Sequence, residues 1–146
     1  MHSLHIALSL YLFYLCVNIK ILIIPDSVQI IDHLAFYGCE GLKELTIGEG
    51  VSFIGPEAFS QCVNITVLSF NAIMIDEYSF GEGEKHPFTN ISRDTDGAIV
   101  NIGVNVTAIP NNFFYTGDID NPINVKEVNF ADGSKCETIG ENAFSF

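Results

Sequence analysis

The sequence has 146 residues, of which 48% are apolar, and a net charge of −12 with only six Lys and Arg. This is the length of one domain, with enough apolar residues to form a core. The scarcity of basic residues argues against nucleic acid and anionic membrane surfaces as partners, since both are bound through clustered Lys and Arg. Solubility is the simplest explanation of the acidic charge.

The N-terminal segment, residues 1–21, contains an apolar run at 4–17. A transmembrane helix needs about 20 such residues, so we predict no transmembrane span. Two interpretations of the segment stay open. Its length fits the core of a signal peptide, although a basic start and a small-residue cleavage site are missing. It also fits a degenerate first repeat acting as a cap, because Phe13 and Cys16 lie one repeat period before a similar pair.

Residues 22–146 repeat one short pattern. The strand residues Leu22, Leu45 and Leu68 are 23 residues apart, and after each strand an isoleucine precedes a phenylalanine by five residues. These pairs are Ile31 and Phe36, Ile54 and Phe59, Ile75 and Phe80, Ile109 and Phe114, and Ile139 and Phe144. One coil of about twenty residues cannot bury its apolar face alone, but stacked coils share a continuous core. The pattern therefore predicts a repeat solenoid with parallel strands.

One full repeat reads Leu45-Thr-Ile-Gly-Glu-Gly-Val51-Ser-Phe-Ile54-Gly-Pro-Glu-Ala58-Phe59-Ser-Gln-Cys62. This strand, followed by V-x-x-I-G and A-F-x-x-C, resembles the BspA-type leucine-rich repeat family, and the resemblance covers roughly Phe13 to the end. It implies a solenoid with a binding role, often on the surface of bacteria or protists. The predicted fold is a leucine-rich-repeat-like, right-handed coil of about five repeats, with parallel strands and short helical turns around the Ala-Phe positions.

Two stretches interrupt the repeats and are predicted as insertions, at residues 81–98 and 115–125. Each contains a short Asp-rich run, at 94–97 and 118–121, that faintly resembles a calcium loop. Neither run has the ligand spacing or the closing glutamate of such a loop. Polar turn chemistry explains them better, so no metal site is predicted.

The remaining reactive residues predict no chemistry. Cys16, Cys39 and Cys62 lie one period apart, which predicts a column of buried, reduced thiols and no metal cluster or disulfide. No nucleophile, phosphate-loop or cofactor motif is present, so we predict no catalytic residue, no cofactor and no enzyme activity. N-x-[ST] triplets occur at Asn64, Asn90 and Asn105, and they matter only in a secreted eukaryotic protein.

The outward strand positions are the predicted binding surface, because they are exposed and rigidly held. Their mixed character suits a protein or peptide partner. Two functions stay open: a surface or secreted adhesion and host-interaction protein, which we favour, and an intracellular scaffold or regulatory protein. The sequence specifies neither the oligomeric state nor whether the chain belongs to a longer array. The predicted surface consists of Ile23, Glu44, Thr46, Val67, Ser69, Ile99, Asn101, Glu127 and Asn129.

Overall fold

The computed structural model describes residues 6–75, 86–117, 120 and 122–145. Within them the chain forms stacked coils, and a complete coil has two short strands followed by a run of β-turns. The strands of the described residues are β1 (Ile6–Leu8), β2 (Ile21–Ile24), β3 (Val28–Ile31), β4 (Glu44–Ile47), β5 (Phe53–Ile54), β6 (Val67–Phe70), β7 (Ala98–Ile102), β8 (Ala108–Ile109), β9 (Val125–Phe130) and β10 (Thr138–Ile139).

The first sheet has the strand order β2-β4-β6-β7-β9, and its strands are parallel. Side chains alternate between its faces, as in β4, where Leu45 and Ile47 are buried and Glu44 is exposed. The same alternation in β6 and β7 confirms the predicted parallel repeat strands. At the edge strand β9, Phe130 is 39% exposed because only one neighbouring strand covers it among the described residues.

The second sheet is divided into two parts, β1-β3-β5 and β8-β10, each with parallel pairing. Residues 73–75 occupy the corresponding place in the third coil but form no strand. Ile73 N–H still donates to Glu49 O at 3.2 Å, whereas the Met74 side chain is 77% exposed. The second sheet is therefore interrupted where the first sheet is continuous.

The turn segments follow the second-sheet part of their coils and occupy residues 9–16, 32–39, 55–62, 86–92, 110–115 and 140–145. Along each turn segment, backbone hydrogen bonds within the coil alternate with backbone hydrogen bonds to a neighbouring coil. Ala58 N–H donates within its coil to Gly55 O at 3.2 Å, and the next residue, Phe59, donates across to Pro87 O at 2.8 Å. An α-helix has no such outward N–H groups, because its backbone bonds stay within the segment.

The prediction of short helical turns is wrong for these segments as far as the structure describes them. Glu57 and Gln61 have φ values of +54° and +63°. The equivalent positions in other coils, such as Leu34 and Asn142, are also left-handed, with φ values of +56° and +54°. Isolated left-handed residues break a right-handed helix and instead occupy the third position of successive β-turns.

The phenylalanine column runs through the turn segments. Its rings are stacked or tilted with centroid separations of 5.2 Å from Phe13 to Phe36, 5.2 Å from Phe36 to Phe59, 5.7 Å from Phe59 to Phe88, and 6.0 Å both from Phe88 to Phe114 and from Phe114 to Phe144. The fourth member is Phe88, and the Phe80 predicted there lies outside the described residues.

The predicted insertion at 81–98 is therefore wrong from residue 86 onward. The sequence His86-Pro-Phe88-Thr-Asn-Ile91 occupies the place that Glu57-Ala-Phe59-Ser-Gln-Cys62 has in the preceding coil. Phe88 and Ile91 are completely buried, so they belong to the core. In the second predicted insertion, at 115–125, Ile123 is also buried and Val125 begins β9. The sequence therefore identified the two places where the repeats are lengthened, but the predicted insertions extend too far into residues that belong to the regular coils.

The N-terminal residues 6–19 form a coil in the repeat register. Ala7 pairs with Ile30, and Phe13 N–H donates to Ala35 O at 2.8 Å. Several of the large apolar side chains of this coil are exposed on the outer side, including Tyr11 and Leu15, each 53% exposed. Its inner side thus contributes to the core of the next coil.

Candidate functional site

The predicted binding residues lie in two rows across the exposed face of the first sheet. Strand pairing aligns the first row residue by residue, and it consists of Ile23, Thr46, Ser69, Asn101 and Asn129. The second row stands two residues earlier on each strand and consists of Ile21, Glu44, Val67, Ile99 and Glu127. The structure therefore brings all the predicted residues together on one surface.

This strand face changes in character along the stack. At the β2 edge, Ile21 and Ile23 are 61% and 66% exposed and provide apolar contact area. At the β9 edge, the side-chain amide of Asn129 donates to Asn101 Oδ1 at 3.4 Å. Exposed hydroxyl and amide groups can donate and accept hydrogen bonds, and apolar edges can be covered by a partner. The face therefore presents both apolar and hydrogen-bonding groups to solvent.

The described residues contain no group of three or more His, Cys, Asp or Glu side chains placed to hold a metal ion. Of the two Asp-rich runs, the first has Asp94 bonded to its neighbour, with Arg93 Nε at 2.9 Å from Asp94 Oδ1. Asp118, in the second run, lies outside the described residues.

In the predicted column of Cys16, Cys39 and Cys62, the last two are buried and Cys16 is half-buried; these three and Cys136 are free thiols. Cys39 Sγ donates to Phe13 O and Cys62 Sγ to Phe36 O, both at 3.2 Å. Burial raises the pKa of the Cys62 thiol well above its usual value. In the third coil the same place in the column is filled by the buried Ile91, so the position also accepts an aliphatic side chain.

We expect Cys39 and Cys62 to react with a thiol reagent at least ~100-fold more slowly in the folded chain than in urea, since reaction requires local opening costing about 3 kcal/mol. The measurement is a thiol titration of the Cys16→Ser, Cys136→Ser variant, in which only these two thiols remain. Its control is the parent chain, where the half-buried Cys16 and Cys136 should react first. Detection of a Cys39–Cys62 disulfide by mass spectrometry would contradict the reduced column.

His86 is a functional candidate that the sequence did not reveal. Its ring lies between the third and fourth coils, with Nδ1 accepting from Phe88 N–H at 3.1 Å and Nε2 at 3.1 Å from Asn112 O. Burial lowers the pKa of His86 to about 4, so the neutral ring with a proton on Nε2 is the stable form. The alignment of His86-Pro-Phe88 with Glu57-Ala-Phe59 is the signal that places it in a turn segment.

The three N-x-[ST] triplets occupy different environments. Asn90 is buried, with 3% of its surface exposed, so its amide is inaccessible in the folded chain. Asn64 is half-buried and its Nδ2 donates to Glu40 O at 2.9 Å. Asn105 Nδ2 donates to Glu49 Oε1 at 2.9 Å and its Oδ1 accepts from Lys135 Nζ at 2.8 Å. Among the described contacts, the Asn64 side chain makes a single hydrogen bond and lies at the surface, whereas Asn90 is buried and Asn105 makes two hydrogen bonds.

Residues 7–145 match the model of the BspA type leucine rich repeat region, in six copies. The chain belongs to the BspA-type leucine-rich repeat family. The match begins in β1, so this repeat region includes the N-terminal coil. The family explains the recurring Ala-Phe and Cys positions of the column, because each repeat contributes the same residues to the shared core.

The BspA-type chain also resembles one solved structure, that of a leucine rich cell surface protein from Faecalibacterium prausnitzii A2-165, with 22% sequence identity and a TM-score of 0.47. The similarity covers 99% of this chain and 42% of that protein's length. No curated protein matches the sequence. None of the described residues forms a helix long and apolar enough to cross a membrane.

Proposed function

We propose that this BspA-type repeat chain is a non-enzymatic binding module that recognises a protein or peptide through the strand face defined above. Leucine-rich repeats generally mediate protein interactions, which supports the class of partner. The observation that carries the choice of surface is the residue-by-residue alignment of the two rows on five paired strands. Such pairing fixes side chains in place and lowers the entropic cost of binding.

The proposed setting is the cell surface or the extracellular space, in an adhesion or host-interaction role. The family, whose repeats are often found on surfaces, supports this setting. Surface labelling of intact cells, or a glycan on Asn64 when the chain is produced by a secreting eukaryotic cell, tests it. Recovery of the chain only inside cells would favour the alternative role.

That alternative is an intracellular scaffold or regulatory protein that uses the same strand face. The free thiols favour it, because adjacent cysteines such as Cys39 and Cys62 stay reduced most readily in a reducing compartment. Both roles place recognition on one surface, so the mutational test below applies to either.

We expect Thr46→Arg combined with Ser69→Arg to abolish partner capture and leave the fold intact, because neither side chain enters the core. Two long cations on adjacent strands would block contact and repel each other across the face. The measurement is affinity capture by immobilised chain, with partners quantified by mass spectrometry and folding checked by circular dichroism.

The matched control is Tyr115→Arg with Ser145→Arg, which adds the same charge at exposed positions of the turn segments. It should capture the same proteins as the parent chain. Loss of capture in the control, or capture that survives the strand-face change, would mean that recognition lies elsewhere. The competing site is the predicted insertion at 81–98, and deletion of its residues 81–85 then becomes the next variant to compare.

A further inference from the structure

The outer face of the second sheet carries a row of apolar side chains, which we name the apolar stripe: Ile30, Phe53, Met74 and Ala108. On the strands, the residue that follows each of them is buried, namely Ile31, Ile54 and Ile109. Ile30 and Phe53 are partly exposed, Ala108 is exposed, and Met74 is 77% exposed. On the strand face of the first sheet, by contrast, the aligned row is mostly polar beyond Ile23.

Two shallow depressions meet at Met74, where the second sheet is interrupted. One, of about 690 Å³, lies beside Ile30 and Phe53. The other, of about 550 Å³, lies beside Ala108 and Ile139. Their described lining residues include no charged side chain, although the whole chain carries a net charge of −12. Uncharged depressions on a strongly acidic protein are suited to receiving apolar groups.

Acidic residues precede and follow the strands of the apolar stripe in the chain. Asp26 and Glu49 are in the connections that precede β3 and β5. Asp32, Glu57 and Glu141 are in the turn segments that follow β3, β5 and β10. Lys135, which precedes β10 in the chain, is held by Asn105, since its Nζ donates to Asn105 Oδ1 at 2.8 Å. The stripe is thus an apolar strip between acidic margins.

We propose that the apolar stripe binds a peptide segment of a partner protein in which apolar side chains alternate with Lys or Arg. The apolar side chains would enter the depressions on either side of Met74, and the cations would face the carboxylates at the borders. This surface is separate from the strand face, so a single chain could hold two partners. The proposal does not depend on the function proposed above.

The test measures binding of a fluorescein-labelled alternating Lys-Leu peptide of about eight residues by fluorescence anisotropy. We expect binding that weakens by about tenfold or more in Met74→Lys and Ala108→Lys, because each cation enters an apolar contact and repels the peptide. The matched controls, Thr46→Lys and Ser69→Lys, add the same charge on the strand face and should change the affinity by less than about twofold.

Two comparison peptides separate the contribution of charge to the affinity from that of apolar contact. An alternating Glu-Leu peptide should bind at least about tenfold more weakly, since it meets acidic borders, and a Lys-Ser peptide should lose the apolar contribution to a similar extent. The proposal is overturned if the Lys-Leu peptide does not bind, if the Glu-Leu peptide binds equally well, or if the strand-face controls weaken binding as much as Met74→Lys. It is also overturned if the parent chain sediments as a dimer that Met74→Lys dissociates, which would make a second copy the occupant.

Discussion

Replacing Phe59 by alanine is expected to lower the free energy of unfolding by about 3–5 kcal/mol, the usual cost of removing a fully buried aromatic side chain. The ring is completely buried and stacks on Phe36 at 5.2 Å and on Phe88 at 5.7 Å. Its removal would open a cavity between three coils, which cannot collapse without shifting the paired backbones. Urea unfolding followed by circular dichroism measures the loss.

The matched control is Phe53→Ala, in the same coil but directed outward and partly exposed, which should cost less than about 2 kcal/mol. The double variant Phe36→Ala, Phe59→Ala should depart from additivity by at least about 0.5 kcal/mol, because the two rings share one contact. A loss below about 1 kcal/mol for Phe59→Ala would be the cost of a surface change and would contradict the stacked column.

His86 should make the chain sensitive to acid, because its ring replaces a direct bond between coils. In the preceding coil Phe59 N–H donates straight to Pro87 O, whereas Phe88 N–H donates to His86 Nδ1. The far side of the ring then contacts Asn112 O through Nε2. Protonation of Nδ1 removes the acceptor for Phe88 N–H and places a charge in the core.

The pKa of His86 falls from 6.5 to about 4 on folding, so between these values the unfolded chain binds the proton more tightly. The stabilising contribution of neutral His86 is therefore complete above pH 6.5 and is lost as the pH falls toward 4. At about 1.4 kcal/mol for each pKa unit, the loss is on the order of 3 kcal/mol. Urea unfolding between about pH 7 and pH 4 measures it.

The comparison variant is His86→Gln, which should be less stable than the parent at neutral pH but lose less stability on acidification. Carboxylate titration is common to both chains, so the difference between their pH profiles isolates the imidazole. Parallel profiles for the parent chain and His86→Gln would show that the buried ring does not titrate on unfolding.

Much of the fold could be predicted from spacing. The alternation of Leu45, Thr46 and Ile47 identifies a half-buried strand, and its recurrence at a fixed period requires strands to stack in register. The two rows of the strand face followed directly, because residues between two buried positions on a paired strand face outward. These features depend only on which residues are apolar and how far apart they are.

The turn segments were not predictable in the same way. Left-handed φ values at residues such as Leu34 and Glu57 go against the preference of those residue types, so local propensity gave no warning. Backbone bonds to the adjacent coil impose that conformation. Phe88 was missed because Ile75-to-Phe80 repeats the usual interval by sequence alone, and only packing shows which phenylalanine joins the column.

The alternating bonds of the turn segments give the stack a direction. In the middle of these segments, N–H groups donate to the following coil, as Phe13 does to Ala35 and Phe36 to Ala58. Beside the second sheet, bonds such as Ser52 N–H to Gln29 O run backward to the preceding coil. Peptide dipoles on the two sides therefore oppose each other, whereas in an α-helix they add. A coil added after the last one would have to offer carbonyl groups to the turn segments and N–H groups beside the second sheet. Tandem copies of this chain could therefore extend the array only head to tail.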